Sequence, residues 1–544
     1  MSYFALVRRE MQLSLPRLAV MTGLGGISTA AILAAVNSGG AATSVGARLA
    51  AAVFFVVALF VFIKTQNYIF ITMTVEIEAI IHKLRLRLMD HVRRSELLAL
   101  DAIGRSAIVA AITKESETLT QASRMLAFGI QGVFLIVFIS IYVAYLSLLA
   151  FFLCVPIVGV AALVLTAKSR GMSEGEREAL QREDQLFDRL TDILDGFKEV
   201  RLNSARSDDL FSHIKDVSRS AAEIKIRTRI EATKWMLYAQ SSTYLMLGAV
   251  VFVAPSFSKT LGTSVSSAAT AILFVVSTCW GLVQTIPVLR AANASAGQIE
   301  QLEARLKAVA VSDAKDVLDR SMSFDEMKMR NVIFHYVDKS SDTPFQIGPL
   351  DFELRSGEIV FITGGNGSGK STFLKVLAGL YEPNSGGIWL DEMRVNDRTR
   401  DAYRALFAGI FFDYHLFRRL YGIPEPDPEE VDRLLRQFRL HAKTHLVDRE
   451  FETLDLSSGQ RKRLALIVSL LEKRPILLLD EWTAEQDPEF RQKFYDELLP
   501  SFHRAGVTLV VVTHDDRYIS EFRLPARRLH MESGLFVEPP PLVS

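Results

Sequence analysis

Three short stretches hold residues whose types and spacing suit phosphate chemistry. Gly364, Gly365, Asn366, Gly367, Ser368, Gly369, Lys370, Ser371 and Thr372 follow an apolar run, EIVFIT, and precede a helix-prone one, FLKVLAG. They fit G-x-x-x-x-G-K-[ST], in which glycines turn backbone N–H groups toward phosphate oxygens and a helix N-terminus adds partial positive charge. In that pattern Lys370 reaches the β- and γ-phosphates and the Ser371 hydroxyl ligates Mg2+. About 110 residues later comes RPILLLDEWTAEQDP. Ile476 to Leu479 predict a buried strand ending in Asp480, placed to hold Mg2+, and Glu481, placed to polarise an attacking water. TLVVVTH predicts another strand, with His514 at its end and within reach of a γ-phosphate. An acidic pair or a single histidine at a strand end is commonly structural; their order after a phosphate loop turns both toward nucleoside triphosphate hydrolysis.

A second small-residue loop, Ser457, Ser458, Gly459 and Gln460, opens the basic helix RKRLAL. By itself it reads as a helix cap. Its place between the phosphate loop and the acidic strand is what a cap leaves unexplained.

These loops need strands and helices to hold them, and the chain is long enough for more than one domain. It has 544 residues, a formal net charge of +0 and 49% hydrophobic residues. Balanced charge argues against nucleic acid as a partner. Cys154 and Cys279 sit alone in apolar runs and make neither a metal spacing nor a disulfide framework. The apolar residues gather before about residue 292, and six stretches have the length of a bilayer span: 18–36, 49–73, 125–146, 148–167, 236–254 and 268–289. The first is as long as a span and is followed by others, so it predicts a retained helix rather than a cleaved signal.

Basic residues orient these spans. Arg48 and Lys259 are the only ones in the expected outer connections, whereas Arg8, Arg9, Lys83, Arg85, Arg87, Arg93, Arg94, Lys168, Arg170, Lys225, Arg227 and Arg229 lie on the other side. Positive residues favour the cytoplasm, so both termini are expected inside. The charged stretches between spans two and three and between four and five carry apolar residues at helical spacing. They predict membrane helices extended far into the cytoplasm and joined by short turns; a separate small cytoplasmic domain is the alternative. Lys64 lies inside the second span, where a charge either lines a wet cavity or snorkels to the headgroups.

Taken together, GGNGSGKST, LSSGQ, LLLDE and VVVTH resemble the nucleotide-binding domain of ABC transporters. The six spans resemble the exporter-type membrane domain of that superfamily. The resemblance implies an all-α membrane domain over residues 1–300, a linker over 301–326 and an α/β phosphate-loop ATPase domain over 327–544. It also implies that Ser457, Ser458, Gly459 and Gln460 clamp the γ-phosphate held by a second chain, with Asp487 in a dimer-contacting loop, so a homodimer is expected. Tyr336 matches the aromatic that stacks on adenine. The family's Mg2+-binding glutamine is missing from FAGIFFDYHLF: Phe412 holds its place, and Asp413 beside it has a carboxylate that can supply an oxygen to Mg2+ instead. FFDYHLF, DEWTAEQDP and LSSGQRKRLAL further resemble the bacterial cyclic-peptide exporter group, which includes the pyoverdine and microcin J25 efflux proteins. That implies ATP-driven export of a cyclic, lasso or siderophore-like peptide across the inner membrane to the periplasm, with a periplasmic or outer-membrane efflux partner conceivable. Lipids or hydrophobic drugs are the alternative cargo. A nucleotide-gated channel has no need of Glu481, and a soluble DNA-handling ATPase has no place for six spans.

Overall fold

The computed structural model describes residues 3–11, 15–146, 189–253, 265–308, 324–336, 345–423 and 425–539, with single positions at 148, 151, 152, 178, 182, 185 and 186. Most of the expected fourth span (148–167), Cys154, Lys259 and most of the expected linker lie outside these residues.

The first 308 residues are helical where described: α1 (Tyr3–Glu10), α2 (Leu15–Ala41), α3 (Val45–Arg94), α4 (Leu97–Ile103), α5 (Arg105–Ala110), α6 (Ser116–Leu146), α7 (Phe197–Leu202), α8 (Ser204–Gly248) and α9 (Val265–Ala308). Among the described residues three helices are long and apolar enough to cross a membrane, Ala19–Gly40, Val45–Arg94 and Ala107–Tyr145. The fifth expected span falls on the end of α8 and a π-helical turn (Ala249–Val253), the sixth on α9. α3 and α8 run 50 and 45 residues, well beyond the roughly 20 a bilayer needs. Pro287 is accommodated inside α9.

Two compact units divide the chain: Met1–Met89 with Ser106–Ala304, and Asp90–Arg105 with Arg305–Ser544. In the first, α2 crosses α6 closely at Gly26, where a Cβ would stand 3.0 Å from the Phe138 ring and 3.4 Å from the Leu135 backbone nitrogen; Gly25 beside it faces Thr65 and Gln131. Thr65 and Gln131 are both buried, so their polar groups face helices rather than lipid. α1 is held by its Tyr3 hydroxyl, which donates to the Leu119 carbonyl at 3.2 Å. Arg87 ties Glu10 (3.1 Å) to Glu303 (3.0 Å).

The second unit is built on two sheets. β1 (Glu326–His335), β2 (Gln346–Arg355), β4 (Ser385–Leu390) and β5 (Met393–Arg394) form an antiparallel sheet in the order β2-β1-β4-β5. β3 (Ile359–Thr363), β6 (Phe407–Ile410), β9 (Ile476–Asp480), β10 (Thr508–Val512), β11 (Arg527–Glu532) and β12 (Leu535–Val537) form a second sheet in the order β12-β11-β3-β10-β9-β6, parallel from β11 to β6. β7 (Leu446–Val447) and β8 (Glu450–Phe451) make a separate hairpin. β3, β9 and β10 are nearly continuous apolar runs because both faces of the sheet are covered. Ile359 and Phe361 point into one core, shared with Leu464, Leu466 and Trp482. Val360 and Ile362 point into the other, shared with Phe373, Leu374 and the antiparallel sheet. Helix α10 (Lys370–Leu377) follows β3, and α11 (Arg400–Arg404), α12 (Pro428–Gln437), α13 (Ser458–Leu471) and α14 (Pro488–Lys493) complete the elements that bear on the site.

Asp90–Arg105 belongs to this unit through ion pairs as well as packing. Glu96, just ahead of α4, accepts from Arg404 at 2.6 Å and pairs with Arg400 at 3.6 Å. Leu97 packs against the core beside the antiparallel sheet.

Candidate functional site

The strand order brings four strand ends side by side: β3, β10, β9 and β6. In a parallel sheet flanked by helices, the crevice beyond the C-terminal strand ends is where ligands bind. The phosphate loop leaves β3 there, His514 follows β10, Asp480 and Glu481 end β9, and Phe412 follows β6. Residues far apart in sequence thus share one rim.

The loop turns through Gly364 (φ +144°), Gly367 (φ +76°) and Gly369 (φ +106°), conformations that L side chains rarely adopt. At Gly364 a Cβ would also lie 2.1 Å from the Met531 carbonyl. Lys370 is buried, and its ammonium donates to the carbonyls of Gly364 (2.9 Å) and Gly365 (2.8 Å). Burial pushes the lysine below its ordinary pKa, against the upward pull of Glu481 and then Asp480. A cleft of about 540 Å3 is lined by Phe345, Asn366, Gly367, Ser368, Gly369, Lys370, Ser371, Thr372, Phe412 and Glu481.

Asp480 is 1% exposed. Its carboxylate takes hydrogen bonds from the Ser371 hydroxyl and from the Phe412 N–H at 3.4 Å, while Oδ1 has no partner among the described residues. Burial is the main reason its carboxyl is raised above the usual aspartate range. A buried carboxylate oxygen left free beside a hydroxyl suits a hard cation that takes oxygen ligands. Among the described residues no group of three or more His, Cys, Asp or Glu could cage a metal. That fits Mg2+, which relies on substrate phosphates, water and one or two protein oxygens.

Glu481 has φ +49°, an uncommon left-handed conformation for a residue with a side chain. Its N–H donates to the Val512 carbonyl at 3.0 Å, and its Oε1 lies 3.2 Å from His514 Nε2. Asp413 is exposed and faces Lys375 at 3.6 Å. Tyr336 stands outside the cleft lining; its hydroxyl donates to that of Tyr381 at 3.0 Å and its ring packs edge-on against Phe334. The aromatic that does line the cleft is Phe345, whose Cζ lies 3.3 Å from where a Gly369 Cβ would stand. Its distance in sequence from the loop gave no cue to that position. Lys64 is exposed on α3, its ammonium 5.6 Å above the Phe60 ring centre.

The second small-residue loop is closed by its own chain. Ser457 and Gln460 form a capping box at the start of α13. The Gly459 carbonyl accepts from Gln486 Nε2 at 3.1 Å, and Arg463 Nε donates to Gln486 Oε1 at 2.7 Å. Asp487 pairs with Arg463 and caps α14 through the Phe490 N–H at 2.8 Å. That N–H, with Arg463, holds the Asp487 carboxyl below the usual range.

A strand, a glycine-turned loop, a buried lysine and a strand-end carboxylate pair define a phosphate-loop nucleoside triphosphatase. Comparison with known proteins narrows the class. The ABC transporter family profile matches residues 347–484, and the ABC transporter transmembrane region matches 18–278. The ATP-binding protein SyrD of Pseudomonas syringae pv. syringae is 36% identical over 411 residues, covering 73% of this chain and 71% of that protein. The ATP-dependent lipid A-core flippase of Idiomarina loihiensis is 23% identical over 480 residues, 84% of this chain and 80% of the flippase. The fold matches a bacterial Atm1-family ABC exporter with ATP bound, with a TM-score of 0.77 at 18% identity, over 98% of this chain and 96% of that one. The chain belongs to the ABC transporter family. It is a membrane-spanning half-transporter of exporter fold, an ATPase coupled to transmembrane transport.

Proposed function

We propose that the chain works as a homodimer in the bacterial inner membrane, both termini in the cytoplasm, and exports a cyclic, lasso or siderophore-like peptide to the periplasm by alternating access. The observation that carries the hydrolytic part is the shared rim. Lys370, Ser371, Asp480, Glu481 and His514 meet at the ends of adjacent parallel strands.

In this reading Lys370 and the loop amides hold the β- and γ-phosphates of ATP. Ser371 and Asp480 would hold Mg2+, which offsets phosphate charge when bound. Asp413, turned to Lys375, is left out of that shell. Glu481 orients a water for in-line attack on the γ-phosphorus and accepts its proton, and ADP carries away the electron pair of the broken bond. His514, held against Glu481, is the γ-phosphate contact, Tyr336 is the aromatic assigned to adenine although it stands outside the cleft lining, and Phe345 lines the cleft itself. Ser457, Ser458, Gly459 and Gln460 close over the partner chain's γ-phosphate, and Asp487 faces the partner. Because ATP binds the closed pair better than the open one, binding shifts the dimer toward closure and cleavage releases it.

The proposed extents remain 1–300 for the membrane domain, 301–326 for the linker and 327–544 for the ATPase domain. Lys64 is a candidate for the cargo cavity wall. A peptide cargo rests on the three motif stretches FFDYHLF, DEWTAEQDP and LSSGQRKRLAL. Lipid is the second reading, favoured by the flippase likeness over 84% of the chain. Glu481→Gln tests the hydrolytic assignment: ATP binding persists while turnover falls by about 100-fold or more, and undiminished ATPase activity overturns it. Stimulation of ATPase activity in proteoliposomes by cyclic peptides, and not by added lipid A, supports the peptide reading; the reverse supports lipid.

A further inference from the structure

Lys462 is the third residue after Gly459 on α13, in a run whose neighbour Arg461 is exposed. Its own side chain is almost wholly buried, at 1% exposure. The ammonium donates to the backbone carbonyl of Glu481 at 3.0 Å, pairs with Glu485 at 3.1 Å and lies 5.9 Å above the Phe412 ring centre. The backbone carbonyl of Lys462 in turn accepts from the Trp482 indole N–H at 2.9 Å. The turn that carries Glu481 is thus pinned to α13 from both sides.

Burying an ammonium is costly and adds little to net stability compared with an apolar side chain of the same size. Glu481 supplies a reason for it. A left-handed φ of +49° costs a non-glycine residue free energy and persists only where its surroundings over-determine it. Its N–H is fixed by Val512, and its carbonyl accepts from the Lys462 ammonium at 3.0 Å and, less closely, from the Ala484 N–H at 3.3 Å. Glu485, the counter-charge, also accepts from the Ser458 hydroxyl, and its carboxyl lies below the usual range because of Ser458 first and Lys462 next.

We propose that Lys462 is a positioning residue for Glu481: by clamping the glutamate's carbonyl it aims the carboxylate at the attacking water. This rests on the reading of Glu481 as the group that activates water. The site therefore carries an anchor on the helix that begins with the Ser457–Gln460 loop, in a chain where phenylalanine stands in place of the usual glutamine.

The test is a double-mutant cycle on the full-length protein in lipid, reading ATP hydrolysis at saturating ATP and the KM for ATP. Lys462→Met lowers kcat by about 10- to 100-fold with KM changed less than about threefold. Lys462→Gln, which keeps an N–H donor for the carbonyl, recovers most of the loss. In a Glu481→Gln background the same Lys462→Met change has no further effect, within about twofold, because it acts through the group already removed. Wild-type kcat in Lys462→Met overturns the proposal, as does an equal proportional loss with Glu481 present or replaced. If Lys462→Met does not fold, Lys462→Ala takes its place in the cycle. Failure of wild-type protein to hydrolyse ATP, or full activity in Glu481→Gln alone, sinks the underlying functional reading instead.

Discussion

The two glycine-bearing loops both open helices, and they solve the start of a helix in opposite ways. Before α10, Gly369 takes a left-handed conformation and no side chain caps the helix, and its first residues, Lys370, Ser371 and Thr372, line the cleft. Before α13, Ser457 and Gln460 cap each other and Gly459 is fastened to Gln486. The first loop has its lysine, hydroxyl and buried carboxylate at hand within one chain. The second has Ser457 and Ser458 exposed, and the carboxylate that meets the Ser458 hydroxyl, Glu485, is already paired with Lys462 at 3.1 Å.

The comparison can be broken most severely at Lys370. Lys370→Ala removes the charge from the loop that binds on its own, and ATP binding and hydrolysis both fall by about 100-fold or more. Equilibrium binding of a fluorescent ATP analogue reads the first, and phosphate release the second. Gly459→Ala sharpens it from the other side. A Cβ there would sit 2.6 Å from the Glu485 carbonyl, forcing the loop off its seat. Turnover drops by about 10- to 100-fold while binding at the phosphate loop stays within about twofold. Equal damage to binding would show that the two loops are not separable in this way.

How much of this was legible in the sequence differs between the same two regions. The phosphate loop could be read residue by residue because each position answers to one local demand: a positive φ, a helix start, a charge, a hydroxyl. The long α3 and α8 followed from apolar length and helical spacing, whereas α4 had no signal of its own beyond Gly104 after it. The second loop's attachments were hidden. Lys462 on a basic helix reads as a solvated side chain, and only the turn after β9 packing against α13 buries it. Gln486 and Arg463 were likewise invisible until that turn closed on Gly459. Tertiary contacts, unlike loops, leave no local period to read.

A smaller effect comes from acidity. Burial raises the Asp480 carboxyl, so the folded site favours the protonated form and the carboxylate needed for Mg2+ is lost at a higher pH than for an exposed aspartate. The sign follows: as pH falls toward that raised value, a proton competes with the metal. The Mg2+ concentration for half-maximal ATPase activity therefore rises on acidification, and saturating Mg2+ moves the acid limb of the rate profile to lower pH. An acid limb insensitive to Mg2+ would place the titrating group elsewhere.

The central claim is that one chain's phosphate loop and the other chain's Ser457–Gln460 loop make a single ATP site. Dimers that pair a Lys370→Ala chain with a Gly459→Ala chain, isolated by two different affinity tags, test it directly. If the site is shared between chains, the mixed dimer keeps one site with both loops intact, and ATPase activity returns to about half the wild-type value, well above either parent variant. If each chain works with its own two loops, both sites in the mixed dimer carry a defect and activity is no higher than in the parents. That result would contradict the account.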